Sequence, residues 1–412
     1  MAVFRPFRAI RPLPEYASGV AELPYDVMNT DEARVRAADR PYSFLHVDKA
    51  EIDLPPDTDL YSEQVYLKAK ENLEKLVSEG ICAGDATPCY YIYRQIMNGR
   101  AQTGIVGCAS IDDYLSGVIK RHELTRADKE LDRINHVDTC DANTGPIFLA
   151  YRPSGDVRRV IEKYVCQDPV YDFTADWVRN IVWVVNDPAD DEALKNAFAE
   201  IPALYIADGH HRCASAVHVG QARRLEHPGY TGEEEFNYFL AVAFDSSELA
   251  IMDYNRVIKD LNGMSVSYFM EKLGEEFILR YVGEGQYRPG RRHEFGMYLD
   301  GSWYSLMAKD DICNEPDPVD RLDVSILQKN VIAPLFGITD PRVDKRIDFI
   351  GGIRGLGELE RRCRTDMRVA FAMYPTSIDE LMEMADAGEL MPPKSTWFEP
   401  KLLSGLFIHS LR

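Results

Sequence analysis

Between Ile181 and Phe244 the chain alternates short apolar runs with amphipathic or small-residue stretches, and this alternation narrows the folds open to it. Strand pattern at Ile181–Val185 leads to helix pattern at Asp190–Ala199, strand pattern at Ala203–Ala207, helix pattern at His211–Arg224 and strand pattern at Tyr238–Phe244. Strands separated by helices need a sheet with helices laid on it, so the expected class is mixed α/β (α+β).

Upstream, Tyr61–Glu79 reads as a helix stopped by Gly80. Cys89–Met97 and Gln102–Ser110 flank Asn98-Gly99, a dipeptide that favours a hairpin turn. A helix starting at about Asp112 or later is predicted to run to His136, with a strand at Pro146–Tyr151. Downstream, helix Ser265–Glu276 precedes strand Phe277–Val282 and a hairpin, Glu294–Leu299 with Trp303–Met307, turning at Asp300-Gly301. Helix Val319–Phe336, strand Arg346–Ile350, helix Leu356–Arg364, strand Val369–Tyr374 and helix Ile378–Ala387 follow. The expected division is residues 1–262 and 263–412, the second a further α/β domain.

One strand–helix junction carries concentrated chemistry. The run ALYIA leads into Asp208-Gly209-His210-His211-Arg212 and a small-residue helix. A helix N-terminus presents unpaired N–H groups and a partial positive charge, which suit an oxyanion. Gly209 lets backbone approach a ligand, and Arg212 offers a planar fork that matches phosphate. Asp208 is expected to cap the helix, orient a histidine or hold a divalent ion. Neighbouring histidines without HxxxH spacing give weaker support to zinc.

A second concentration is His122–His136. At about 100° per residue, His122, Arg126, Lys129, Arg133 and His136 share a sector of roughly 80°. Leu124, Ala127, Leu131 and Ile134 lie opposite and are expected to pack on the core. Glu123 and Glu130 flank the cationic line, making Glu123 or Glu130 the nearest candidate general base. Near the C-terminus, a proline-stiffened loop holds Lys394, Ser395 and Thr396 as candidate phosphate contacts and Glu399 as a candidate acid, base or ligand. Gly351-Gly352-Ile353-Arg354-Gly355 reads as a tight turn, and Asp340–Arg346 as a salt-bridged surface.

Charge limits the partners. With 47 Lys+Arg against 67 Asp+Glu the net charge is −20, which opposes binding to polymeric nucleic acid or anionic membrane. Eight scattered cysteines without a CxxC pair give neither a disulfide framework nor a zinc ribbon. No apolar run is long enough to span a bilayer, and the first residues lack the uninterrupted apolar stretch of a signal peptide. A cytoplasmic location is expected.

Several segments together resemble one family, the domain of unknown function 1015 family. They are Pro6-Phe7-Arg8 with Arg11-Pro12, Pro24-Tyr25-Asp26-Val27, Ser43–Val47, Lys120 with His122-Glu123 and Thr125-Arg126, Lys129-Glu130, Ala207–Arg212 and Pro392–Lys401. Leu23 departs from the proline expected before Tyr25. The Asp208–Arg212 run is also similar to the ParB and sulfiredoxin superfamily motif, in which a helix N-terminus cradles nucleotide phosphates, and free-serine kinases carry a close version of it. That resemblance implies a ParB/sulfiredoxin-like core around the junction.

The resulting expectation is phosphoryl transfer from a nucleotide (ATP or ADP, with Mg²⁺) to a small hydroxylated metabolite, free serine being one. Glu123, Asp208, His210 and Glu399 are the expected catalytic groups. Gly209, His211, Arg212, Arg126, Lys129, Arg133, Lys394, Ser395 and Thr396 are the expected phosphate and nucleotide contacts. The partner is then a small phosphorylated ligand. The alternatives are a nucleotide-binding regulator without chemistry, and a metal-dependent hydrolase built on His122, His136, His210 or His211.

Overall fold

The computed structural model describes residues 1–412 and has the mixed α/β architecture expected of the sequence. It divides into two compact units, Met1–Leu249 with Pro400–Arg412, and Ala250–Glu399. The division predicted between residues 262 and 263 differs in two ways. Strand Tyr254–Ile258 belongs with the second unit, and the end of the chain returns to the first.

The first unit is built on a nine-stranded mixed sheet. Its order is Ile119–Lys120, Leu204–Asp208, Ile147–Tyr151, Tyr238–Asp245, Arg100–Ser110, Tyr91–Met97, Val178–Val184 and Tyr171–Ala175, with Phe4–Arg5 also paired to Arg100–Ser110. Leu204–Asp208 runs parallel to Ile119–Lys120 and antiparallel to Ile147–Tyr151. The Asn98-Gly99 hairpin forms because both residues adopt the positive φ that such a turn requires, 52° and 79°.

One face of this sheet is covered by apolar residues of helices Gly155–Tyr164, Pro188–Ala199 and His210–Glu226, through Val157, Phe198, Cys213 and their neighbours. On the other face Phe407 packs against Tyr91 and Tyr93. Burial on both faces explains why the Ala203–Ala207 run is apolar throughout rather than alternating. Buried amides hold the returning segment in place. Gln95 donates to the Lys401 carbonyl at 2.9 Å, and Gln102 donates to Gln95 Oε1 at 3.1 Å. A four-stranded sheet completes the attachment, with Ile408–Ser410 lying between Ala9–Pro12 and Ala142–Asn143.

The predicted helix from about Asp112 to His136 is two helices, Ile111–Leu115 and Ala127–Cys140. Strand Ile119–Lys120 lies between them, followed by the segment that carries His122 and Glu123. The predicted orientation of the second helix holds only in part: Ile134 packs against an apolar cluster and Arg126 stays exposed, but the rest of the face differs. Leu124 and Leu131 are 59% and 58% exposed, whereas Asp132, Arg133, His136, Val137 and Cys140 are buried. The helix packs against both His210–Glu226 and Glu63–Ser78, so its inward side meets polar partners. Tyr66 donates to Asp132 at 3.1 Å, and Arg133 Nε donates to Asp132 at 3.0 Å. Buried charge is tolerated here because it is paired on the spot.

Helices Thr30–Ala37 and Gly155–Tyr164 and strand Tyr171–Ala175 were not among the predicted elements. In the second unit, the Asp300-Gly301 hairpin lies in a six-stranded antiparallel sheet. The helix expected over Val319–Phe336 is shorter and broken, with a π turn at Gln328–Ile332 before Pro334. Proline lacks the N–H that a continuous ladder needs. Gly351 and Gly352 form a tight turn: a Cβ on Gly351 would lie 2.7 Å from the Trp397 ring, and one on Gly352 2.4 Å from Asp253 Oδ1. No helix is long and apolar enough to cross a membrane.

Candidate functional site

Strand Leu204–Asp208 ends at Asp208, and helix His210–Glu226 begins two residues later. Gly209 makes the turn with φ +89°, the left-handed region that favours glycine. A Cβ there would stand 3.1 Å from Cζ, Nε and NH2 of Arg212, so the missing side chain lets the guanidinium fold back over the junction.

Arg212 donates from NH2 to Asp208 Oδ2 at 2.8 Å and from NH1 to the Pro146 carbonyl, while its Nε is buried without a hydrogen-bond partner. Lys401 donates to Asp208 Oδ1 at 3.1 Å. Burial alone would raise the Asp208 pKa, but Lys401 and then Arg212 outweigh it and hold the carboxylate down at about 2. Burial likewise opposes the charge on Arg212, and the fields of Asp208 and Asp26 more than restore it.

Arg212 and Arg133, from different helices, line one small cavity together with Tyr25, Asp48, Thr144 and Ser404. The Arg133 guanidinium lies 4.1 Å from the centre of the Tyr25 ring. Burial raises Tyr25 to about 12 despite the lowering effect of Arg133. Asp48 accepts from Thr144 Oγ1 at 3.0 Å, and its pKa is raised, first by burial. His136 Nε2 is 3.1 Å from Thr144 Oγ1, and burial followed by repulsion from Arg133 keeps its pKa well below the usual histidine range.

The two neighbouring histidines part company, as side chains one residue apart on a helix must. His211 Nε2 accepts from the Arg126 backbone N–H at 3.0 Å, and Asp26 adds a negative field to it. His210 turns to the other side and meets His122 edge to face, with ring centroids 4.5 Å apart. Glu123 Oε2 is 3.9 Å from His210 Nδ1. Burial lowers the pKa of both rings, that of His122 to about 4.

The other expected contacts lie elsewhere. The Arg126 side chain pairs with Asp128 at 2.8 Å, and Lys129 donates to Tyr61 at 3.0 Å, so neither lines the cavity. Lys394, Ser395, Thr396 and Glu399 belong to the second unit. There Ser395 donates to the Pro392 carbonyl at 2.6 Å, Arg256 donates to the Lys394 carbonyl at 3.0 Å, and Trp397 donates to Glu399 at 2.9 Å. These bonds stiffen the loop itself.

Tyr25, Asp26, Asp48, Thr144, Ser404 and Lys401 were not among the expected site residues. The first two lie in the Pro24–Val27 run and Lys401 ends the Pro392–Lys401 run, so motif membership was the available signal. Asp48, Thr144 and Ser404 carry no such mark.

Among solved structures, the chain is similar to a mutant free serine kinase in complex with AMP, with 15% identity, 74% of this chain and 92% of that chain covered, and a TM-score of 0.36. It is also similar to SbnI with a C-terminal truncation from Staphylococcus aureus, at 13% identity, with 73% and 85% covered and a TM-score of 0.37. A conserved hypothetical protein from Pyrococcus furiosus is similar at 15% identity, with 74% and 94% covered and a TM-score of 0.34. No curated protein matches the sequence. Residues 4–325 match the family described as protein of unknown function (DUF1015), and the chain belongs to that family.

Proposed function

We propose that this chain is a phosphoryl-transfer enzyme that uses a nucleotide donor and a small hydroxylated acceptor, with free serine as the first acceptor to test. The observation that carries the reading is that Arg133 and Arg212 line the same cavity at the start of helix His210–Glu226. Two guanidiniums facing one small cavity suit phosphate oxygens, and the unpartnered Nε of Arg212 is a donor still open to one. Phosphoryl transfer depends on positioning and charge neutralisation, which such a cradle supplies.

Within this reading Asp208 is a positioning residue. A carboxylate held at about 2 is a weak base, yet a firm anchor for Arg212. Asp26 is exposed and its field reaches Arg212 and His211. It is the carboxylate we assign to accept the acceptor hydroxyl's proton as the new P–O bond forms and the bond to the leaving phosphate breaks. Neither Asp26 nor Glu123 lines the cavity itself; Glu123 stands beside His210, whereas Asp26 directly follows Tyr25, which does line it. When bound, Mg²⁺ would offset charge on the donor phosphates. Asp208, already shared by Lys401 and Arg212, does not fit the role of its ligand.

The test is a thermal-shift series with ATP, ADP, AMP and inorganic phosphate, followed by phosphorus NMR of a reaction containing ATP or ADP with free serine. Nucleotide-dependent stabilisation that Arg212→Ala and Arg133→Ala both abolish is expected, with phosphoserine as product. Stabilisation that survives Arg212→Ala would defeat the assignment. Nucleotide binding with no transfer to any hydroxylated acceptor would leave the regulator reading in its place.

A further inference from the structure

His122 and His210 reach each other from separate elements, the segment before helix Ala127–Cys140 and the first turn of helix His210–Glu226. They are 2% and 7% exposed, and their rings meet at an interplanar angle of 88°. Nε2 of His210 is buried without a hydrogen-bond partner, and the His122 ring meets only the Ile206 backbone. Buried polar nitrogens are paired in the great majority of cases, so two touching buried rings that leave nitrogens unpaired are unusual. Glu123 brings a carboxylate to the same place, and one ligand atom from each of His122, Glu123 and His210 lies within 4.8 Å of the others.

We propose that His122, Glu123 and His210 form a site for a divalent transition metal, with Zn²⁺ the first candidate. Two imidazoles and one carboxylate suit zinc and its first-row neighbours, and three protein ligands leave a position open to water or a substrate oxygen. Mg²⁺ and Ca²⁺ prefer oxygen, so this donor set selects against them. Tetrahedral coordination with bonds of about 2.1 Å places donors roughly 3.4 Å apart, so the set must contract around the ion. Glu123, with a side chain 41% exposed, is the least buried of the three and the one whose movement would close the set.

None of the three residues lines the Arg133–Arg212 cavity. The site does not depend on the phosphoryl-transfer reading, in which these three residues have no role.

The experiment uses the full chain, stripped with a chelator and titrated with Zn²⁺ by calorimetry and with Co²⁺ by visible absorption. One equivalent of Zn²⁺, and Co²⁺ ligand-field bands that Zn²⁺ abolishes, are expected. Glu123→Gln alters a partly exposed group and should weaken Zn²⁺ binding on the order of 100-fold while leaving the far-ultraviolet circular dichroism of the metal-free protein unchanged. His210→Ala should abolish the Co²⁺ bands. Absence of those bands in the wild-type chain, or Zn²⁺ binding that is unaltered in Glu123→Gln, would overturn the proposal. Nucleotide thermal shifts on the same samples, with and without Arg212→Ala, report on the phosphate cradle alone, so either site can fail without the other.

Discussion

Lys401 Nζ lies 3.1 Å from Asp208 Oδ1, joining residues 193 positions apart in sequence. The lysine side chain is 12% exposed and the other carboxylate oxygen is already bound by Arg212, so Asp208 sits between two cations. That arrangement fixes the turn at Gly209 and the direction in which Arg212 points.

Lys401→Met should cost about 1–3 kcal/mol at neutral pH, because a partly buried carboxylate loses one of its two partners. The pH dependence has a definite sign. Asp208 is held at about 2, below its ordinary 3.8, so its contribution is present above 3.8 and lost as pH falls through 2. Urea unfolding of the wild-type and variant chains should therefore show a stability difference that narrows across that window. A constant difference would argue against ion pairing as the cause.

Gly209→Ala places a side chain at φ +89° and a Cβ 3.1 Å from the Arg212 guanidinium. A loss of about 1–2 kcal/mol is expected from the backbone alone. Displacement of Arg212 should also remove any nucleotide-dependent thermal shift. Calorimetric melting of the variant, with and without ligand, separates the two effects.

The inward face of helix Ala127–Cys140 can be tested directly. Leu131→Ser should change stability by no more than about 0.5 kcal/mol, since the leucine is largely exposed. Asp132→Ala removes the acceptor of Tyr66 and Arg133, leaving a buried guanidinium short of its partner, and should cost about 3 kcal/mol. Chemical denaturation measures both. The opposite ranking would restore the orientation read from the helical wheel.

His46 Nδ1 is 2.8 Å from Asp53 Oδ1, and this bond raises the histidine pKa above its ordinary 6.5 against the effect of burial. Because the folded value is the higher one, the stabilisation is complete below 6.5 and is lost as pH rises through the folded value. A partly exposed pair contributes no more than about 1 kcal/mol. His46→Gln should flatten the stability–pH curve around neutrality, and an NMR titration of the His46 ring should report the raised pKa.

Local chemistry was legible where it acts over a few residues. Asn98-Gly99 and Asp300-Gly301 turn because those residues accept positive φ, and apolar runs separated by small-residue or amphipathic stretches gave the alternating strands and helices around Asp208. The helical wheel of His122–His136 held only in part, for a physical reason. Periodicity places residues on a common face, but whether that face turns inward depends on what covers it. Here Asp132, Tyr25 and Asp48 supply partners that let Arg133 and His136 be buried.

By itself, then, the sequence determined the mixed α/β class, both hairpins and the strand–glycine–helix junction, because each rests on backbone preferences set by neighbouring residues. Only the tertiary structure decided that Arg133 joins Arg212 in one cavity, that His122 meets His210, and that Lys401 returns to clamp Asp208. Those pairings span loops whose closure no local signal encodes. They are fixed by packing across the sheet and by the need of each buried charge or amide for a partner.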